Sequence, residues 1–319
     1  MEARTAEALP DQDGTWQYEP KWDGFRCLVF KAGDAVELRG KSGKPLGRYF
    51  PEVLSFVRGL PFDRFVADGE LVIESDGRLS FDALQMRLHP AESRIRKLAA
   101  ETPARLVLFD LLAAPDGEIL TDRPLALRRR ALAAFGQTAQ RPGKLIITPA
   151  SPDIAMARQW LSGLSGTDGV VAKRLDLPYQ NGERAMVKVK RMRTADCVVG
   201  GFRYASRSRE VGSLLLGLYD SAGRLDHIGF TSTLSDVERP ALTQTLESLR
   251  APPSFTGRSP GGPSRWSSER SGEWEPVKPQ LVVEVRFDHV SDGRFRHGTK
   301  LLRWRPDKNP RDCALDQIA

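Results

Sequence analysis

The octet Glu19-Pro20-Lys21-Trp22-Asp23-Gly24-Phe25-Arg26 constrains this chain more than any other stretch. It lies between two strand-like segments, around Trp16 and Tyr18 on one side and Cys27 to Phe30 on the other. A lysine, a carboxylate, a tight turn and a guanidinium are therefore fixed at one passage from strand to strand. Lysine bonds to phosphorus only as the neutral amine, and its ordinary pKa is about 10.4. To act near neutral pH it needs neighbouring cations or desolvation. Alone, the octet also fits a charged surface hairpin.

The 319 residues suffice for two domains with a sizeable core. Net charge is +7, rich in arginine, which suits a polyanionic partner read through bidentate phosphate contacts. Cys27, Cys197 and Cys313 are odd in number and far apart, so no disulfide framework or CxxC site is expected. His89, His227, His289 and His297 form no HExxH or His/Cys cluster, which argues against zinc. No apolar run approaches the roughly 18 residues a membrane span needs. The expectation is a soluble cytoplasmic protein, with no membrane partner.

In chain order, strands are expected at Val36 to Arg39, Arg105 to Leu112, Val170 to Lys173 and Met186 to Lys190. Phe65 to Ile73 is an apolar run interrupted by Asp68-Gly69-Glu70. Helical spacing marks Pro51 to Leu60, Ser80 to Leu88 with Ser80 as cap, Ala91 to Ala100, Leu125 to Phe135 and Asp153 to Leu164. The texture changes near Arg193. Strands spaced over Ala195 to Phe202, Ser213 to Tyr219, Leu225 to Phe230 and Leu281 to Phe287, with a helix near Ser235 to Leu249, read as a small β-barrel with an inserted helix. The domains are placed at 1–193 and 194–319. Ala251 to Pro276 is Pro/Gly/Ser/Arg-rich and is expected to be a long exposed loop.

Lys188 and Lys190 are two apart on a strand, so they share a face, and a phosphate between them would relieve their repulsion. Glu70 and Asp168 each neighbour a glycine. They read either as turn formers or as loop carboxylates that hold a hard divalent cation with phosphate oxygens. Arg303-Trp304-Arg305-Pro306-Asp307-Lys308 closes the chain as a basic segment, and Arg203, Arg207 and Arg209 form a second basic cluster.

Taken together, in order and spacing, these segments resemble the covalent nucleotidyltransferases, and most closely the small bacterial ATP-dependent DNA ligases of the ligase C type. Lys21 to Arg26 matches the nucleophile motif, Arg39-Gly40-Lys41 the second and Asp68-Gly69-Glu70 the third, with Phe109-Asp110 as its extension. Asp168 to Lys173 matches the fourth, Lys188-Val189-Lys190 the fifth and Arg305-Pro306-Asp307-Lys308 the sixth. Two departures stand out. The fourth motif usually opens with Glu, where this chain has Asp168. Relatives also carry a few more residues ahead of the lysine motif, so packing from that region is expected to be missing.

The resemblance implies an α+β fold: an ATP-grasp-like nucleotidyltransferase domain of antiparallel sheets with helices, then an OB-fold barrel. It implies that Lys21 attacks the α-phosphate of ATP, and that AMP passes from the lysine to a 5′-phosphate at a DNA nick, which the 3′-hydroxyl then seals. Asp23, Arg26, Lys188, Lys190, Arg305, Asp307 and Lys308 are the implied catalytic partners of Lys21. Glu19, Arg26, Arg39, Glu70, Phe109, Lys173, Lys188 and Lys190 would bind the nucleotide, with Phe109 stacked on adenine and Glu19 accepting its amino proton. Glu70 and Asp168 would hold Mg²⁺ or Mn²⁺. The implied partners are nicked duplex DNA and, in repair or recombination, a Ku-like end binder or a repair polymerase. The protein is expected to be monomeric and nucleoid-associated. No further DNA-encircling domain, and no module for NAD ahead of Met1, is expected. The Arg258 to Arg270 loop is expected to fold over DNA. An RNA ligase, a GTP-using capping-type enzyme and a non-catalytic DNA-end binder are the rival readings.

Overall fold

The computed structural model describes residues 1–11, 14–75, 77–163, 167–206, 208–261 and 273–318. They divide into two compact units, Met1–Arg191 and Met192–Ala319. No described helix is long and apolar enough to cross a membrane.

The first unit contains β1 (Ala3–Ala6), β2 (Trp16–Trp22), β3 (Phe25–Ala32), β4 (Ala35–Gly40), α1 (Pro51–Arg58), β5 (Arg64–Ser75), β6 (Arg78–Leu79) and α2 (Phe81–Arg87). It continues through α3 (Glu92–Glu101), β7 (Ala104–Ala113), α4 (Leu125–Ala139), β8 (Leu145–Ile147), α5 (Ile154–Gly163), β9 (Thr167–Arg174) and β10 (Met186–Lys190). Among the described residues these strands form two sheets. One runs β1–β10–β9–β2; the other runs β4–β3–β5–β7–β8, with β6 against β5. The expectation of antiparallel sheets needs one correction in each. At the edges, β1 pairs with β10 and β8 with β7 in parallel.

Local chemistry explains the elements. Pro51 opens α1, where a missing N–H costs nothing, and Val53 and Val57 face the core. The Ser80 hydroxyl accepts from the Ala83 N–H at 3.2 Å and starts α2, as its position as cap predicts. The core of the larger sheet, built on Leu71, Ile73, Leu106 and Leu108, is packed under α1, α2 and α4 through residues such as Val57, Leu84 and Leu132. A smaller core around Tyr18, Val170, Ala172 and Val189 lies under Ala157 of α5.

Three readings change. β2 and β3 are not a hairpin: β2 belongs to one sheet and β3 to the other, so the octet carries the chain between sheets. Asp68-Gly69-Glu70 does not interrupt a strand but lies inside β5. Asp168 lies inside β9, so neither candidate metal carboxylate is on a loop. Ahead of the lysine motif, β1 forms an edge strand and Met1 is buried.

The second unit contains β11 (Arg193–Tyr204), β12 (Val211–Tyr219), β13 (Leu225–Thr231), α6 (Arg239–Ser248), β14 (Glu275–Pro276), β15 (Val282–Phe287), β16 (Val290–Ser291), β17 (Arg294–Phe295) and β18 (Lys300–Trp304). Its main sheet runs β13–β12–β11–β15–β18, with β14 on β11. The expected barrel is not closed by a strand ladder among the described residues: the two ends of the sheet are joined by one bridge, Thr231 to Thr299, and by side-chain bonds such as the Leu301 N–H to the Thr233 hydroxyl. The loop expected at Ala251 to Pro276 is not simply exposed. Ser254 and Phe255 are buried, and the Phe255 ring packs edge-on against His227 and Trp274. Residues 262–272, most of the arginine-rich stretch expected to fold over DNA, lie outside the described residues, as does Arg207.

Candidate active site

The passage from β2 to β3 is shaped by close approach. A Cβ on Gly24 would lie 2.2 Å from the Leu71 carbonyl oxygen, so only glycine lets the turn press against β5. Opposite Lys21, the β2–β9 register shifts: Pro20 faces Val170, while Trp22 faces Thr167. The extra residue is on β9, at Asp168-Gly169. Such bulges re-aim side chains. Gly169 has φ 156°, and a Cβ there would meet the Val189 carbonyl oxygen at 2.1 Å. The bulge delivers Asp168 to Lys21, whose Nζ donates to both carboxylate oxygens at 2.8 Å.

Lys21 opens onto a cavity of about 660 Å³, also lined by Glu19, Arg26, Glu70, Phe109, Lys173 and Lys188. Seven predicted residues, from β2, β3, β5, β7, β9 and β10, therefore converge on one space. Arg26 donates from Nε to Asp68 at 2.6 Å and from Nη2 to the other oxygen of that carboxylate. Asp68 is fully buried and also accepts from the Tyr179 hydroxyl at 2.7 Å. Arg26 is thus held in place by a buried carboxylate. Its guanidinium carbon lies 5.3 Å from the Phe109 ring centroid, and the Lys173 ammonium 4.6 Å from it. Lys173 in turn donates to Glu19 at 2.7 Å.

Charge is unevenly compensated. Burial pushes the Glu70 carboxyl up to about 8; Lys21 and Arg26 oppose the shift, while Asp68 and Asp23 add to it. Burial lowers Lys188, helped by the positive charges of Lys190 and Lys21. A phosphate suits the second condition and a divalent cation the first.

Not every predicted residue reaches the cavity. Asp23 and Lys190 are half-buried beside it and act on Glu70 and Lys188 through their charge. Arg39 is exposed, pairs with Glu37 at 2.8 Å and does not line the cavity. Its neighbour Lys41 does, bridged to Glu2 at 3.2 Å. Sequence reasoning missed Glu2, Arg4 and Thr5 of the first strand region, Arg184, and the supporting residues Gln17 and Tyr179. Only Lys41 carried a signal, as part of Arg39-Gly40-Lys41.

Arg305, Asp307 and Lys308 belong to the second unit. Arg305 Nη1 donates to Asp196 at 2.8 and 3.0 Å, while its Nε and Nη2 donate to Asp307 at 3.0 and 2.9 Å. The Arg305 hydrogen bond pulls Asp307 down to about 2. Lys308 is only loosely held, with Nζ 3.8 Å from Asp196.

A lysine-bearing passage between two mixed sheets, followed by an open OB-like β unit, is a fold with counterparts among solved structures. A solved Lig E DNA ligase shares it with a TM-score of 0.58 at 17% identity, over 95% of this chain and 97% of that one. The family model "ATP dependent DNA ligase domain" matches residues 2–190, and "ATP dependent DNA ligase C terminal region" matches 207–308. DNA ligase C1 of Mycolicibacterium smegmatis is 43% identical over 100% of this chain and 92% of its own length. The multifunctional non-homologous end joining protein LigD of Mycobacterium bovis is 33% identical over 94% of this chain and 37% of its own length. The chain belongs to the ATP-dependent DNA ligase family, among its small bacterial members, and its nucleotide is ATP.

Proposed function

We propose that the first unit adenylates itself on Lys21, and that the whole chain seals nicked duplex DNA in repair. The observation that carries this is Lys21 at a cavity mouth shared with Arg26, Lys173 and Lys188. The amine, freed of its proton, forms the P–N bond to the α-phosphorus, and the P–O bond to pyrophosphate breaks. Asp168, which binds that amine by two hydrogen bonds, orients it and is placed to take the proton. Lys188, kept short of its full basicity by burial and by its neighbours, offsets the charge gathering on the α-phosphate. Phe109 supplies a face for adenine. AMP then passes to the 5′-phosphate of the nick, and attack by the 3′-hydroxyl releases it.

No cluster of three or more metal-ligating side chains occurs among the described residues, so a cation here would rest on one or two carboxylates and phosphate oxygens. Burial raises the Glu70 carboxyl to about 8 against the opposing charges of Lys21 and Arg26, and a divalent ion would favour its ionised form. Glu70 and Asp168 would hold Mg²⁺ or Mn²⁺, which when bound would neutralise phosphate oxygens. The adenylation and OB-fold parts correspond to 1–193 and 194–319, and the enzyme works as a cytoplasmic, nucleoid-associated monomer. The end-joining name of the LigD relative supports a repair role; in that role a Ku-like end binder or a repair polymerase would present the DNA.

Sealing of a nicked duplex with ATP, GTP and NAD in parallel tests the proposal. ATP alone should support sealing. Sealing with NAD or GTP as well as with ATP would overturn the nucleotide assignment, and sealing confined to RNA nicks the substrate.

A further inference from the structure

Gln17 has no place in the chemistry above, yet it is buried against Glu19, which has one. The two are two residues apart on β2 and share a face. Gln17 Nε2 donates to Glu19 Oε1 at 2.8 Å, and Lys173 Nζ binds Oε2 at 2.7 Å. Gln17 and Lys173 are register partners across β2 and β9, so both donors reach the carboxylate from neighbouring strands. A flipped Gln17 amide would set two acceptors 2.8 Å apart, so charge alone fixes which way it points. Lys173 also reaches the Phe109 carbonyl at 3.4 Å and lies 4.6 Å from the centre of its ring. The carboxylate is thus fixed beside the proposed adenine platform, with its remaining lone pairs able only to accept.

We propose that Gln17 is a specificity-positioning residue: by locking Glu19 it makes the cavity select a purine with an amino group, not a carbonyl, at C6. This rests on the reading that Glu19 faces the base. Without the Gln17 donor, Oε1 would recruit water. A water molecule can turn a hydrogen toward a C6 carbonyl, which a locked carboxylate repels. Discrimination between donor and acceptor would then weaken, while the reaction itself continued.

The test is Lys21 labelling by α-³²P-ATP and α-³²P-ITP, because inosine differs from adenosine only in its C6 carbonyl and the N1 proton that goes with it. The full-length wild type, Gln17→Leu and Glu19→Gln are compared by the ratio of kcat/KM values, alongside their Tm. In Gln17→Leu the ATP-over-ITP preference should fall about tenfold, chiefly through faster use of ITP. Glu19→Gln, whose amide can donate as well as accept, should also relax it. If Glu19→Gln relaxes the ratio and Gln17→Leu stays within about twofold of wild type, Gln17 is a packing residue and only the proposal here is lost. An unchanged ratio in both variants would remove the reading of Glu19 together with the proposal.

Discussion

The two units bury charge to different depths. Met1–Arg191 has exposed pairs such as Arg39 with Glu37 and Arg96 with Glu92, but it also sinks pairs into the fold: Arg128 with Asp110, Arg26 with Asp68 and Lys173 with Glu19 involve side chains that are mostly or wholly inaccessible. Among the described pairs of Met192–Ala319 none has both side chains almost wholly inaccessible: Arg303 with Glu284 and Arg305 with Asp307 each have an exposed member, and Arg305 with Asp196 is the most enclosed. His227 of the second unit is buried, and burial together with Arg294 lowers its pKa to about 3. Buried pairs are costly to break, so they preorganise a site. Exposed pairs are worth little and exchange partners easily. The first unit thus has the electrostatics of a fixed receptor, and the second those of a surface that can hand its cations to another anion.

The largest expected effect tests the fixed receptor. Asp168→Asn should slow lysyl-AMP formation by at least about a hundredfold, because the amide neither orients the ammonium as strongly nor takes its proton. Asp168→Glu, which restores the residue usual at this position, should keep activity. Normal labelling by Asp168→Asn would reduce Asp168 to a strand residue.

The exchangeable surface is sharpened by separating two cations that the sequence reading grouped together. Arg305 is saturated by Asp196 and Asp307, so Arg305→Ala should lower the Tm as well as the activity. Lys308 is loosely held. Lys308→Ala should leave the Tm unchanged and cut adenylation from ATP roughly tenfold, with sealing of a pre-adenylated nick much less affected. Equal loss in both assays would make Lys308 a DNA contact.

Glu70 gives a smaller, pH-dependent effect. Its folded pKa, about 8, lies above the ordinary value of 4.5, so ionising it costs stability progressively from pH 4.5 to 8. Without metal, Glu70→Gln should therefore raise the Tm at pH 8 and barely change it at pH 4.5. With metal, wild-type affinity for Mg²⁺ should climb by up to about tenfold per pH unit below 8, as the proton is displaced. A flat Tm difference would show that Glu70 does not carry the proton.

Least affected should be Arg39→Ala. Its side chain is exposed, pairs with Glu37 and lies over the Phe30 ring away from the cavity lining, so adenylation should change by less than about twofold.

Legibility in the sequence followed the range of the interactions. β7 and the Ser80 cap are written in local pattern and could be read directly. Asp68 looked like an interruption of its strand because the group that permits its burial, Arg26, is 42 residues away. The burial of Arg128 against Asp110 was hidden for the same reason: a charged side chain carries no mark of its partner. β1 was invisible because its register partners on β10 are 183 residues further along the chain. The motif residues Lys21, Glu70, Phe109 and Lys188 were legible as chemistry, but their meeting at one cavity came from the passage between sheets, which the sequence suggested only as a turn.

The central claim is that Lys21 is the nucleophile. Incubating wild type, Lys21→Ala and Lys21→Arg with α-³²P-ATP and a divalent cation tests it in one denaturing gel. Wild type should carry a label that is lost in acid and kept in base, as a phosphoramidate requires. Both variants should be blank, because alanine has no amine and the guanidinium is effectively never neutral. Label surviving in Lys21→Ala, or an adduct stable to acid, would contradict the assignment.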